Sequence, residues 1–371
     1  MQTIVSTAKL FATGLATMAA SLVAMAAIPH DPFVRWQAVR TEAYARLGWV
    51  YERVHADPTP TDVVLIGTSH TMNGLDGLAI ARQIAADGVR APDGRCLTVT
   101  NLSIPSYGRN MHWAVARELL RTRRPRAIVL EVFENETRKA HPLFSHVAET
   151  RDLLDAPMLL NQNYVADLIR LPYRQVQLGV ESLAPREFGL KTRFDRANYD
   201  GSTVNNTRVV NVGGRALSPP MTKAMDPAEL DAAAQANRDN KNLHMLPESL
   251  ERYEYAVPRH YLNGILEMAD KAGVPVYFLY LPGYGMPPRP YDMRLYAGRP
   301  MLEVNDLLAR RDFFQDPAHL NAQGAAAVSR RVGDLMAGAL RPASSATGGG
   351  GACSFGYPER ATLVPFRPHH R

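Results

Sequence analysis

Four short runs of apolar residues punctuate the chain, and stretches with helical spacing separate them. Residues 62–67, Cys96–Leu102, Ala127–Phe133 and Val274–Leu281 each read as a strand buried on both faces. Helical periodicity predicts an amphipathic helix over 33–58, with Phe33, Trp36, Ala43, Leu47 and Val50 at mixed three- and four-residue spacing. Asp57-Pro58-Thr59-Pro60 breaks that helix. Further helices are expected over 75–87, 111–122, 247–272 and 321–340, and Ala91-Pro92-Asp93-Gly94 forms a turn. Apolar strands alternating with helices indicate an α/β fold with a parallel sheet covered on both faces. Ligands of such sheets sit at the carboxyl ends of the strands.

The alternation fails over about 136–245, which mixes helical pieces at 151–171 with a Gly-, Asn- and Pro-rich loop at 199–222. The expected organisation is therefore a linker helix at 31–60, one α/β domain at 61–340 with an insertion at about 136–245, and a tail at 341–371. The tail contains Gly348 to Gly351 and has no periodicity, so it is expected to be disordered and removable after about residue 342 without changing the melting behaviour.

The first 30 residues carry a second signal. From Leu10 to Ile28 no residue is charged, and a helix of that length reaches roughly 28 Å, enough for a bilayer core. Ala24-Met25-Ala26 also resembles a signal-peptidase site. Export is expected, with a retained signal-anchor as the leading reading and a cleaved signal as its alternative. A buried helix of a cytosolic protein is the least favoured.

Composition narrows the classes further. The chain has 371 residues, 46% apolar and 21% charged, as a soluble domain with a substantial core should. A net charge of +6 is mild over this length, so nucleic acid is not an expected partner. Arg121, Arg123, Arg124 and Arg126 follow a helix, where cations suit the negative end of the dipole; the competing reading is a patch for anionic glycan or lipid. Two cysteines, Cys96 and Cys353, exclude a zinc cluster and a disulfide framework. One disulfide between them can form in an oxidising compartment, but the tail position of Cys353 does not favour it.

Chemistry concentrates in two distant motifs. Gly67-Thr68-Ser69-His70 follows the first strand, and Asp316-Pro317-Ala318-His319 lies near the end of the chain. A serine needs a base to become a nucleophile, and a histidine needs a carboxylate to fix its tautomer. Ser69, His319 and Asp316 supply these parts. Taken alone, Asp-Pro-Ala-His could simply begin the last helix; its pairing with the Gly-Thr-Ser turn argues against that. Acyl transfer also needs donors for a developing oxyanion. Candidates are the amide of Ser69, the main chain at Ser106 or Gly108, and the side chain of Asn135. His70 is placed to touch substrate or gate the site, with packing an equal alternative. His141 and His146 are five residues apart, wrong for metal binding on one helical face. Tyr280, Tyr284 and Arg289 follow a strand end without further distinction.

These blocks resemble the SGNH (GDSL-like) hydrolase superfamily, in the branch of periplasmic polysaccharide O-acetylation proteins and teichoic-acid D-alanyl transfer proteins. The resemblance implies a three-layer, flavodoxin-like parallel sheet, here with a long, mostly helical insertion and an N-terminal membrane segment. It implies Ser69 as nucleophile, Asp316 and His319 as triad acid and base, and an oxyanion hole from Ser106, Gly108 and Asn135. Three departures stand out. Thr68 replaces the usual Asp, Ser106 occupies the position of a Gly, and Glu131 to Asn135 lacks the family's Gly-x-Asn-Asp. The implied function is an exported O-acyltransferase or esterase acting on a cell-surface or secreted polysaccharide through an acyl-serine. The enzyme would lie on the periplasmic side of the inner membrane, anchored or secreted. Implied partners are a glycan or acyl-ester substrate, the membrane and other polysaccharide-export proteins, and no metal or organic cofactor is implied. The alternative is a non-catalytic, membrane-tethered assembly or carbohydrate-binding component that keeps the scaffold.

Overall fold

The computed structural model describes residues 7–40, 46–132, 140–194, 211–212, 215–216, 224–239, 246–290 and 292–341. Helix α1 (Thr7–Ala26) is long and apolar enough to cross a membrane or to serve as a signal sequence, and none of it is buried over Lys9–Ala26. The short helix α2 (Pro32–Trp36) and helix α3 (Arg46–His55) follow. Strand β1 (Val63–Ile66) then leads into α4 (Ser69–Gly74) and α5 (Gly77–Ala86), β2 (Val99–Asn101) into α6 (Arg109–Thr122), and β3 (Ala127–Val132) into the insertion. The insertion contributes α7 (Phe144–Val147), α8 (Thr150–Leu154), α9 (Tyr164–Leu183), the hairpin β4 (Asn211–Val212) and β5 (Arg215–Ala216), and α10 (Pro227–Asp239). The domain resumes with α11 (Glu251–Glu254), α12 (Ala256–Lys271), β6 (Val276–Tyr280), β7 (Met301–Leu302), α13 (Asn305–Leu308) and α14 (Ala322–Leu340).

All five strands of the main sheet are parallel, in the order β2-β1-β3-β6-β7. Counted within that sheet alone the order is the doubly wound flavodoxin-type arrangement, whose switch point lies between β1 and β3. Strand periodicity builds the three layers. Val63, Leu65, Ala127, Val129 and Leu279 pack with Ile80 and Ile84 of α5 and Val328, Val332 and Met336 of α14. Their alternates, Val64, Ile66, Ile128, Leu130 and Phe278, pack with α3, α6 and α12 on the opposite face. Each strand is thus covered on both sides, which is why it reads as an unbroken apolar run.

Three expectations need correction. The predicted helix over 33–58 is two helices, and neither is a linker: Phe33, Trp36, Leu47, Val50 and Val54 belong to the core. Gln37 ends α2 by exchanging hydrogen bonds with the Lys191 backbone at 3.0 and 2.8 Å, a tertiary contact that periodicity cannot reveal. The expected helix over 247–272 is interrupted at Tyr255, which separates α11 from α12. The fifth strand, β7, has two residues and leaves no periodic signal. Cys96 is disulfide-bonded, against the weaker expectation from sequence. The other cysteine, Cys353, and the rest of the tail lie outside the described residues.

The insertion is fastened to the domain by a charge cluster. Glu149 meets Arg121 at 2.7 Å and Arg35 and Arg117 at 3.7 Å each, and Arg117 also pairs with Asp152. Arg123, Arg124 and Arg126 each donate to backbone carbonyls, those of Val54, Leu120 and Arg90 among them. The basic knot therefore caps helix ends, those of α3, α6 and α14 among them.

Candidate active site

Ser69 stands at the carboxyl end of β1, beside the switch point. Gly67 is required there because a Cβ would collide with the Glu131 carboxylate and the Thr71 hydroxyl. Glu131 is buried in β3 and organises the turn. Its carboxylate accepts from the Thr68 amide at 2.7 Å, the Thr68 hydroxyl at 2.8 Å, the Thr71 amide at 3.2 Å and the Thr71 hydroxyl. Thr68 in turn caps α4 by accepting from the His70 amide at 3.2 Å. A charged acceptor shared by four donors holds the backbone more firmly than neutral hydrogen bonds would. Sequence reasoning passed over Glu131, although a carboxylate inside an apolar strand was the available signal.

The two distant motifs meet. His319 Nε2 lies 2.9 Å from Ser69 Oγ, and His319 Nδ1 lies 3.0 Å from both carboxylate oxygens of Asp316. Asp316 also accepts from the amides of Ala318 and His319 at 2.8 Å each. Burial pushes the Asp316 carboxyl upward, but the His319 hydrogen bond and these amides outweigh it and leave the carboxyl below its ordinary value. An ionised Asp316 keeps the proton on Nδ1, so Nε2 presents its lone pair to the Ser69 hydroxyl. The last helix does not begin at Asp316. Asn321 caps it, accepting from the Gly324 amide at 3.0 Å. The loop after β6 buttresses the histidine, with the Tyr284 amide donating to Pro317 O at 2.8 Å.

The segment after β2 runs beside the Ser69 turn. Leu102 N donates to Leu65 O at 2.9 Å and Ile104 N to Gly67 O at 3.0 Å, which extends the parallel ladder beyond the strands. Behind it, the buried guanidinium of Arg46 donates to Ser103 O at 2.8 Å and to Asn101 O, and burial lowers its pKa to about 9. Asn101 donates from its side chain to Thr71 O and Leu75 O at 3.0 and 3.1 Å. Ser106 adopts φ 77°, a left-handed conformation costly for a residue with a Cβ. Gly108 has φ 153° and is the N-cap of α6, and a Cβ there would strike His141. His141 Nε2 donates to Pro105 O at 2.9 Å, while its Nδ1 accepts from the Leu143 amide at 3.1 Å. Burial lowers its pKa to about 4, so the ring remains neutral. His141 is thus a brace for the loop, a role with no sequence signal.

His70 Nδ1 lies 2.9 Å from Leu281 O, and its Nε2 accepts from the Tyr107 hydroxyl at 3.2 Å. The imidazole faces the His319 ring edge-on at 5.4 Å. Tyr107 is 44% exposed at the outer rim, and burial and the Glu131 charge raise its hydroxyl to about 12. Of the remaining candidates, Tyr280 donates to Pro287 O at 2.9 Å and Tyr284 to Asp231 at 3.2 Å, both structural contacts. Asn135 lies outside the described residues. Among the described residues no three His, Cys, Asp or Glu side chains group as a metal site. The chain matches no protein-family model and no curated protein.

Proposed function

We propose that this chain is an exported serine acyl-ester enzyme of the SGNH type, an O-acyltransferase or esterase acting on a cell-surface or secreted polysaccharide. The observation that carries the reading is the continuous Asp316–His319–Ser69 chain of hydrogen bonds, with 3.0 Å and 2.9 Å links. His319 takes the Ser69 proton as Oγ attacks an acyl carbonyl, and then returns it to the leaving alcohol. The acyl group rests on Ser69 until water or a sugar hydroxyl removes it. Oxyanion donors are the Ser69 amide and the main chain at Ser106 and Gly108. The flavodoxin-type strand order and the position of Ser69 at the carboxyl edge support membership of the superfamily.

Export is supported by α1 and by the disulfide at Cys96, since such bonds persist in oxidising compartments. A retained α1 would hold the enzyme on the outer face of the inner membrane, near polymer leaving the cell. The test is labelling by a serine-directed fluorophosphonate, followed by mass spectrometry of the Ser69 peptide after incubation with acyl donors. Labelling of wild type and none of Ser69→Ala is the expected result. Labelling that is absent, or that survives the substitution, would favour a non-catalytic, tethered binding component.

A further inference from the structure

Helix α9 is apolar on its outward face as well as where it meets the core. Its inward face sets Leu171 and Leu178 into the core beside Asp167, Arg174, Gln175 and Glu181, all buried. Its outward face carries Val165 at 66% exposure, Ile169 at 74%, Tyr173 at 73%, Val180 at 49% and Leu183 at 87%. Spacings of four, four, seven and three residues keep these side chains on one helical stripe. The turn before the helix extends the patch with exposed Leu154, Met158 and Leu159. Arg170 is the one exposed charge of α9, and both acids of the helix are buried. Contiguous apolar surface of this kind on a soluble monomer marks a contact site.

The chain itself identifies what covers the stripe. Gln175 Nε2 donates to Ala26 O at 3.2 Å and to Ile28 O at 3.3 Å, carbonyls at the end of α1 and two residues beyond it. A Cβ at Gly179 would lie 2.6 Å from Ile28 Cγ2, and the Asp31 amide donates to Ser182 Oγ at 2.9 Å. Residues 26–31 are therefore strapped along the middle and end of α9. The apolar helix that can cross a bilayer emerges at the edge of the exposed stripe.

We propose that the outward face of α9, with the turn at 154–159, is a bilayer-contacting surface that sinks into the headgroup and acyl boundary beside α1. The surface carries exposed Arg170 and one exposed acid, Asp155, whose carboxylate is paired with Arg151 at 3.0 Å, so it presents no unpaired acid to an anionic lipid surface. The two contacts together, one spanning and one lying flat, fix the orientation of the domain on the membrane, which a single span cannot do. This rests on the tethered part of the proposed function and not on its acyl chemistry.

The experiment uses the full chain in phosphatidylcholine–phosphatidylglycerol vesicles, with an environment-sensitive fluorophore at Ile169→Cys or, as control, Ala309→Cys. Emission at position 169 should shift to the blue and be quenched by brominated acyl chains, while position 309 should show neither. In a chain labelled at Val165→Cys, adding Ile169→Glu and Tyr173→Glu should weaken docking by about tenfold or more for each side chain. The melting temperature should not move, because neither side chain packs against the core. Identical emission at 169 and 309 would overturn the proposal. So would a blue shift at 169 that depends on protein concentration and appears without vesicles, since that marks a second copy. Fluorophosphonate labelling of the same samples reads the acyl chemistry separately.

Discussion

Glu131 and Thr68 meet at two points: one carboxylate oxygen takes the Thr68 amide at 2.7 Å and the other takes its hydroxyl at 2.8 Å. The resembling superfamily places an Asp at position 68, and here a threonine reaches across to a carboxylate on the neighbouring strand. The turn that aims Ser69 is therefore fixed by β3 as well as by its own sequence. In Glu131→Gln one acceptor oxygen becomes an N–H donor facing other donors. The expected cost is about 1–3 kcal/mol in chemical denaturation, together with slower labelling of Ser69. A variant as stable and reactive as wild type would show that the clamp is dispensable.

Ser106 and Gly108 make opposite predictions. Ser106→Gly relieves a left-handed backbone, so it should stabilise the fold by up to about 1 kcal/mol while preserving acyl turnover. Gly108→Ala forces a Cβ into His141 and should abolish turnover or folding. Thermal melting and fluorophosphonate reactivity of the two variants are the measurements.

Asp316→Asn removes the charge that fixes the His319 tautomer. The rate of Ser69 acylation should fall by roughly four orders of magnitude with the fold retained. His319→Ala should lose turnover as well. Near-normal rates in His319→Ala would place the base elsewhere.

Acid should destabilise the protein through histidines held neutral in its interior. Burial pushes His30 and His141 down to about 4 and His112 well below its usual value. In the unfolded chain such rings take up protons near about 6.5, so below that pH the unfolded state binds more protons than the native one. Stability should be fullest above pH ~6.5 and decline as pH falls towards ~4. Urea denaturation at stepped pH measures the slope, and His141→Asn should make it shallower. Asp316 keeps its charge further into the acid range than an ordinary carboxylate because its pKa is lowered, so loss of that charge does not set the acid limit of activity.

Reduction of the Cys96 disulfide should lower the melting temperature, since removing a native bridge typically costs about 2–5 kcal/mol. Cys96→Ser should melt like the reduced wild type. Because Cys353 is the only other cysteine, this expected loss and a tail dispensable beyond about residue 342 exclude each other, and the melting of Cys96→Ser decides between them.

The sheet was legible because its strands are apolar on both faces and end in recognisable turns. Four of its five strands could be located within a few residues, and the two-residue β7 could not. Ser69, Asp316 and His319 were legible because each sits in a short motif whose residue types imply one another. Their supports were not. Arg46, Asn101 and His141 act by reaching backbone atoms 26 to 57 residues away, and such contacts leave no local spacing. The break after Trp36 is of the same kind, set by Gln37 on Lys191.

A separation of 250 residues between Ser69 and His319 carries a consequence for biogenesis. The alcohol is translated early, and the imidazole arrives with the segment that precedes the final helix. Contacts this remote form only after the intervening chain has collapsed. A nascent or half-threaded polypeptide accordingly holds a bare hydroxyl without its proton acceptor. The proposed reactivity therefore awaits completion of the native topology.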